Sequence, residues 1–280
     1  DYGFSMVDNG VGQRFNAVGN PYPSPIDATA FVGNTTNAAN TTGTLYFWRK
    51  TNNAASPSYC SWTTGGFVTN SEAQVFDPND VIQTGQGFFV EASGSGTSLV
   101  FDNTMRTDDH ANQFFRNQNT IERNRIWLNA TNAEGLFSQT LVGYMTGATN
   151  AIDYAIDGKY INDGPIALTS IIDNEKFVIQ GRSLPFDVTD SVPLEFKATT
   201  AGNYTIAIDH VDGLFLGEQA IYLRDLLMGV DHDLKAAAYS FTSDAGTFSE
   251  RFEIVYQSTL SVANPNFENG VVVYSKNKVI

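Results

Sequence analysis

A chain of 280 residues with a formal net charge of −14 and a pI near 4.4 has no run of Lys or Arg, so it repels phosphate backbones and is excluded from basic-patch nucleic-acid binding. Hydrophobic residues at 42%, with 20 Phe and 12 Tyr, exclude a disordered chain, and the single cysteine excludes an internal disulfide. No apolar stretch approaches the roughly 20 residues that span a bilayer as a helix, so no transmembrane span is expected.

The elements follow in chain order. Apolar positions at Phe4, Met6, Val7, Val11, Phe15 and Val18 predict one or two strands. Gly19-Asn-Pro-Tyr-Pro-Ser-Pro-Ile-Asp27 holds three prolines, which fix φ and remove three donors, so it reads as an extended interstrand corner with Tyr22 packed beneath. Asn34 to Gly43 is nearly all Asn, Thr, Ala and Gly and predicts a polar loop. Strands are expected at Leu45–Arg49, Tyr59–Trp62, Ile82–Ala92 and Leu99–Phe101. Thr84-Gly-Gln-Gly-Phe-Phe-Val90 contains Gly-x-Gly but lacks the third glycine and the helix of a dinucleotide loop; it reads as a strand entered through a glycine bend. Trp48, Trp62 and Trp127 each lie in an apolar strand pattern and are expected to be mostly buried.

Thr107 to Arg125 is a polar trough, which places a domain boundary near Gln118. Asp108, Asp109 and His110 are three adjacent ligand types without a second cluster, and a solvated linker explains them better than a metal. Beyond it, strands are expected at Arg125–Asn129, Phe137–Tyr144, Phe177–Gln180, Val192–Phe196, Tyr204–Ile208, Ala220–Leu223, Ala238–Phe241 and Phe252–Tyr256. No segment between them shows a sustained 3.6-residue period, which excludes parallel α/β winding. The reading is all-β: two antiparallel β-sandwich modules of jelly-roll or Greek-key type, residues 1–118 and 119–258.

Candidate chemistry is sparse. Cys60, between Tyr59 and Trp62, reads as a small buried hydrophobe, and the contexts of His110, His210 and His232 read as turns. Asp209, Asp212, Asp225, Asp231 and Asp233 cluster, but aspartates at strand ends usually cap backbone N–H groups. No serine elbow, zinc helix or Walker loop occurs, so no enzyme, catalytic residue or cofactor is assigned; calcium on the acidic loops stays open as a minority alternative.

The last stretch, Leu260-Ser-Val-Ala-Asn-Pro-Asn-Phe-Glu-Asn-Gly-Val-Val-Val-Tyr274, begins a strand and a turn that the sequence does not complete, so residues 259–280 are expected to be a linker and the first strands of a further β-domain. This string resembles the opening of the C-terminal sorting domain carried by cargo of the bacterial type IX secretion system in flavobacteria. Phe15–Asp27, Gly85–Val90 with Asn103–Arg106, Gln180–Arg182, Leu184–Asp187, Gly202–Ile206, Asp209–Phe215, His232–Lys235 and Arg251–Tyr256 resemble the same secreted family. The resemblance implies a signal segment carried by Leu260, Val262, Pro265, Phe267, Gly270, Val271, Val272, Val273 and Tyr274. Its implied partners are the translocon barrel and the outer-membrane cargo carrier, and its implied location is the cell surface or the extracellular space. The role so implied is a non-catalytic spacer or adhesion module, in the manner of adhesins and gliding-associated proteins, with a glycan or other surface ligand as a further partner. Asp190-Ser-Val192 resembles the O-glycosylation acceptor of that phylum, with Ser191 as the attachment point. The alternative function is a carbohydrate-binding module of a secreted hydrolase, which exposed coplanar aromatics among the three tryptophans would favour.

Overall fold

A computed structural model describes residues 1–49, 55–72, 77–107 and 122–258. Strands β1 (Tyr2–Ser5), β2 (Phe15–Gly19) and β3 (Ile26–Asp27) precede helices α1 (Ala28–Gly33) and α2 (Thr35–Asn40). Then come β4 (Leu45–Trp48), β5 (Tyr59–Thr63), β6 (Gly66–Val68), β7 (Val81–Ile82), β8 (Gly87–Glu91) and β9 (Ser98–Phe101). The second half runs β10 (Arg123–Asn132), β11 (Phe137–Met145), β12 (Gly158–Lys159), β13 (Ile166–Ile172), β14 (Glu175–Arg182) and β15 (Ser191–Ala198). It ends with β16 (Gly202–Val211), β17 (Tyr222–Asp225), β18 (Val230–Asp233), β19 (Tyr239–Ser243) and β20 (Gly246–Val255). The protein is all-β, and among the described residues the pairing is antiparallel except for one parallel ladder, β11 with β14.

The N-terminal half is built on a five-stranded sheet ordered β2-β8-β4-β5-β6. Alternation sends Leu45, Cys60, Trp62, Phe88 and Val90 to one face, where they pack with Phe31 of α1 and Phe101 of β9. Phe31 lies 4.8 Å from Phe101 and 5.4 Å from Phe88, and full burial of such a ring is worth roughly 1.5–3 kcal/mol. The proline corner is as expected: Tyr22 is buried beneath it, and Asn20 holds it by donating to the Ser24 carbonyl at 2.8 Å.

The stretch expected as a polar loop is instead largely helical. Asn34 caps α2 by accepting from Thr36 N at 3.0 Å, as Asp27, ahead of this stretch, caps α1 by accepting from Ala30 N at 2.9 Å. Asn37, fully buried, donates to the Phe31 and Val100 carbonyls and accepts from Val100 N, tying α2 to β9.

In the C-terminal half all eleven strands among the described residues belong to one sheet, ordered β18-β17-β20-β15-β13-β14-β11-β10-β16-β19, with β12 pairing beside β14. Leu223 near one end and Phe241 at the other enter the same hydrophobic cluster as Leu128, Leu168 and Phe252, so the sheet curls around a common core into a nearly closed barrel. Strand β13 went unread in the sequence because six of its seven residues are buried, which erases the two-residue alternation. His210 and His232 lie in strands β16 and β18 rather than in turns; His210 stacks on Trp127 at 3.9 Å.

The two halves lock together. All nine residues of β11 are buried, because Val142 and Tyr144 face the barrel core while Leu141 faces outward onto Val68 and Trp127. Trp127 donates Nε1 to the Phe67 carbonyl at 2.8 Å, and Arg125, gripped by Asp212 at 2.6 Å, donates to the Gly65 carbonyl at 3.1 Å. Tyr59 and Asn162 exchange two further hydrogen bonds across the same boundary.

Candidate functional site

The second face of the five-stranded sheet turns toward the barrel. Tyr46 on this face is fully buried and donates its hydroxyl to the Lys159 carbonyl at 3.3 Å, and Thr44 donates to the Asp157 carbonyl at 3.1 Å. Register pairs Phe15 with Glu91 and Phe89 with Tyr46, which places Glu91 on the same face, at the end of β8. Here the two sheets part around a cleft of about 260 Å³.

Glu91 is the central group of the cleft. It is 7% exposed, yet its Oε2 has no hydrogen-bond partner, and neither has the Thr42 hydroxyl beside it. Thr42 is held there because its N–H donates to the Glu91 carbonyl at 3.0 Å while its own carbonyl accepts from Ala155 N at 2.8 Å. The wall cations are occupied: Arg14 pairs with Asp8 at 2.8 Å and Lys159 with Glu175 at 2.6 Å. Burial pushes the Glu91 carboxyl above the ordinary range, while Lys159 pulls it back. The ring of Tyr154, 54% exposed, stands on the barrel side.

Asp157 also lines the cleft but is used structurally. Its Oδ1 accepts from Gly181 N and its Oδ2 from Asp153 N, both at 2.6 Å. Burial nonetheless lifts its carboxyl to about 7, the desolvation outweighing the two backbone donors.

The sequence candidates fall elsewhere. Leu260, Val262, Pro265, Phe267, Gly270, Val271, Val272, Val273 and Tyr274 lie outside the described residues, as do Asp108, Asp109 and His110. Ser191 is exposed at the start of β15. The clustered aspartates hold partners: Asp212 binds Arg125, Asp225 binds Arg251, Asp231 binds Arg224, Asp209 accepts from Asn129, and Asp233 accepts from Lys235 N. Among the described residues, no three His, Cys, Asp or Glu side chains group as metal ligands would. Cys60 is buried, and burial pushes its thiol up to about 12, so it is an inert hydrophobe.

The tryptophans divide. Trp62 and Trp127 are buried at 1% and 5% exposure, but Trp48 is 59% exposed, against the expectation for all three. Alternation in β4 puts Trp48 on the face opposite Leu45 and Phe47, and at the strand end it passes beyond the cover the barrel gives Tyr46.

A family model matches residues 2–256, across both halves and across the polar stretch between them. The chain belongs to DUF8693, a domain of unknown function. Comparison with the curated proteins and with the solved structures returns no match. In this DUF8693 chain the cleft carboxylate was open to sequence reading. Gly87-Phe-Phe-Val-Glu91 is a nearly continuous apolar run, the mark of a strand covered on both faces, and a glutamate closing such a run is a buried carboxylate. Nothing local marks Thr42, which the Thr41–Ala92 bridge sets beside Glu91 within the N-terminal half, nor Asp157 and Tyr154, which the packing of the two halves brings to it.

Proposed function

We propose that this DUF8693 chain is the non-catalytic, C-terminal region of a type IX-secreted cell-surface protein, serving as spacer and adhesion module and leading into the export signal. The observation that carries the reading is the string Leu260–Tyr274 with its resemblance to the sorting-domain opening. The build of the body supports a spacer: two sheets joined through Trp127, Arg125 and Asn162 resist bending at the junction. The arginine-carboxylate pairs at Arg125, Arg224 and Arg251 hold strands together rather than face a substrate. No helix among the described residues is long and apolar enough to cross a membrane, which says nothing of a β-barrel. Its partners on this reading are the translocon barrel and the outer-membrane carrier. The test is protease shaving of intact native cells: cleavage from the outside at the exposed turn of Leu226, Leu227 and Met228 is expected, and protection of that turn until the outer membrane is broken would refute a surface location.

The exposed Trp48 favours a second reading, a carbohydrate-binding module of a secreted hydrolase. Tyr59 stands opposite Trp48 in the β4/β5 register and meets Phe89 edge-on at 5.8 Å, so three aromatics share that end of the sheet. Glycan-array binding that Trp48→Ala abolishes would select this reading.

A further inference from the structure

We infer that the cleft between the five-stranded sheet and the barrel binds one neutral sugar ring, with Glu91 and Thr42 as the acceptors for its hydroxyls. The inference rests on the glycan-binding side of the adhesion reading and moves the site away from the exposed Trp48. A buried polar atom left without a partner costs about 1–3 kcal/mol, and Glu91 Oε2, an acceptor, and Thr42 Oγ1, which can accept or donate, are two such atoms in one cleft. A ligand carrying adjacent hydroxyls relieves both.

Charge selects a neutral ligand. Arg14 and Lys159 already hold Asp8 and Glu175, so an anion entering the cleft meets the Glu91 carboxylate without gaining an unpaired cation. An ammonium group drawn to Glu91 meets the positive charges of Lys159 and Arg14, both of which already act on that carboxylate through space. Hydroxyl donors pay neither penalty. Thr44, Ser93 and Asp157 add polar lining, and the exposed ring of Tyr154 offers a surface for the C–H face of a pyranose. A volume of about 260 Å³ lies just below the usual ~300–1,000 Å³ of ligand pockets, which suits a single ring rather than an oligomer.

The test titrates the purified 280-residue chain with D-glucose, D-galactose, D-mannose, L-fucose and N-acetylglucosamine, followed by saturation-transfer NMR and calorimetry. At least one should bind; Glu91→Gln and Tyr154→Ala should each weaken it about tenfold or more, and Trp48→Ala should leave it unchanged. Tyr154 is exposed, so its variant keeps the test valid even if Glu91→Gln fails to fold. Binding lost in Trp48→Ala but kept in Tyr154→Ala would overturn the cleft site while leaving the aromatic-face reading standing. No binding by any of the five, or displacement of the bound sugar by methylammonium, would overturn the inference outright.

Discussion

Arg251 on β20 donates Nη2 to Asp225 on β17 at 2.9 Å, and Tyr239, from the strand at the opposite end of the sheet, donates its hydroxyl to the same Asp225 oxygen at 3.0 Å. Arg251 also donates to the Thr242 carbonyl of β19 at 3.1 Å. Where the two ends of the curled sheet meet they are therefore joined by side chains. Asp225 is fully buried and Arg251 is 6% exposed, with the guanidinium lying over the rings of Phe241 and Phe252.

That closure predicts an asymmetry. Arg251→Met alone leaves the Asp225 carboxylate buried and unpaired and should cost about 3–5 kcal/mol in urea unfolding. Asp225→Asn combined with Arg251→Met removes both charges while keeping an acceptor for Tyr239 Oη and the Leu227 and Met228 N–H groups, and should recover part of that loss. Equal losses in the single and double variants would show that the pair does not close the barrel.

How legible was this in the sequence? The strand-rich class was, because Phe, Tyr, Val and Ile sit in short runs between glycine and asparagine punctuation, and the proline corner around Tyr22 was fixed by φ alone. Ile166–Ile172 was not, since a strand buried on both faces has no alternation to read. Asn34–Asn40 was misleading because capping asparagines look like loop residues until Asn37 is seen bridging to Val100. Trp48 was misjudged because exposure at a strand end depends on how far the other sheet reaches, which is a tertiary fact.

Fluorescence follows from that last point. Acrylamide should quench the folded protein in two populations, an accessible one from Trp48 and a protected one from Trp62 and Trp127. Trp48→Phe should remove the accessible population. Uniform quenching that survives this substitution would contradict the burial of the other two.

The junction of the two halves has a backbone test. Gly43 has φ +73, and a Cβ there would lie 2.5 Å from Ala155 Cα and 2.7 Å from Ala155 N, main-chain atoms that cannot rotate away. Gly43→Ala adds left-handed strain of about 1–2 kcal/mol to that clash, so a loss of at least ~2 kcal/mol is expected. An unchanged melting point would mean that the halves do not meet at Ala155.

Asp157 sets a pH dependence. Its ordinary value of 3.8 applies to the unfolded chain and about 7 to the folded one. Between about pH 4 and pH 7 the folded state keeps a proton that the unfolded state has released. The contribution of Asp157 to stability is therefore greatest below pH 4, falls as pH rises through that window and is level above it. Thermal unfolding across pH 4–8 should show the wild type losing stability relative to Asp157→Asn up to about pH 7. A difference independent of pH would place the folded value near the unfolded one.

On the proposed function, residues 259–280 serve export and the body before them folds without them. Deleting residues 259–280 from the native gene and measuring both the protein in the culture medium or on the cell surface and the melting transition of the purified remainder tests it directly. The account predicts that export is lost while the transition of residues 1–258 is unchanged; normal export, or a collapsed transition, would contradict it.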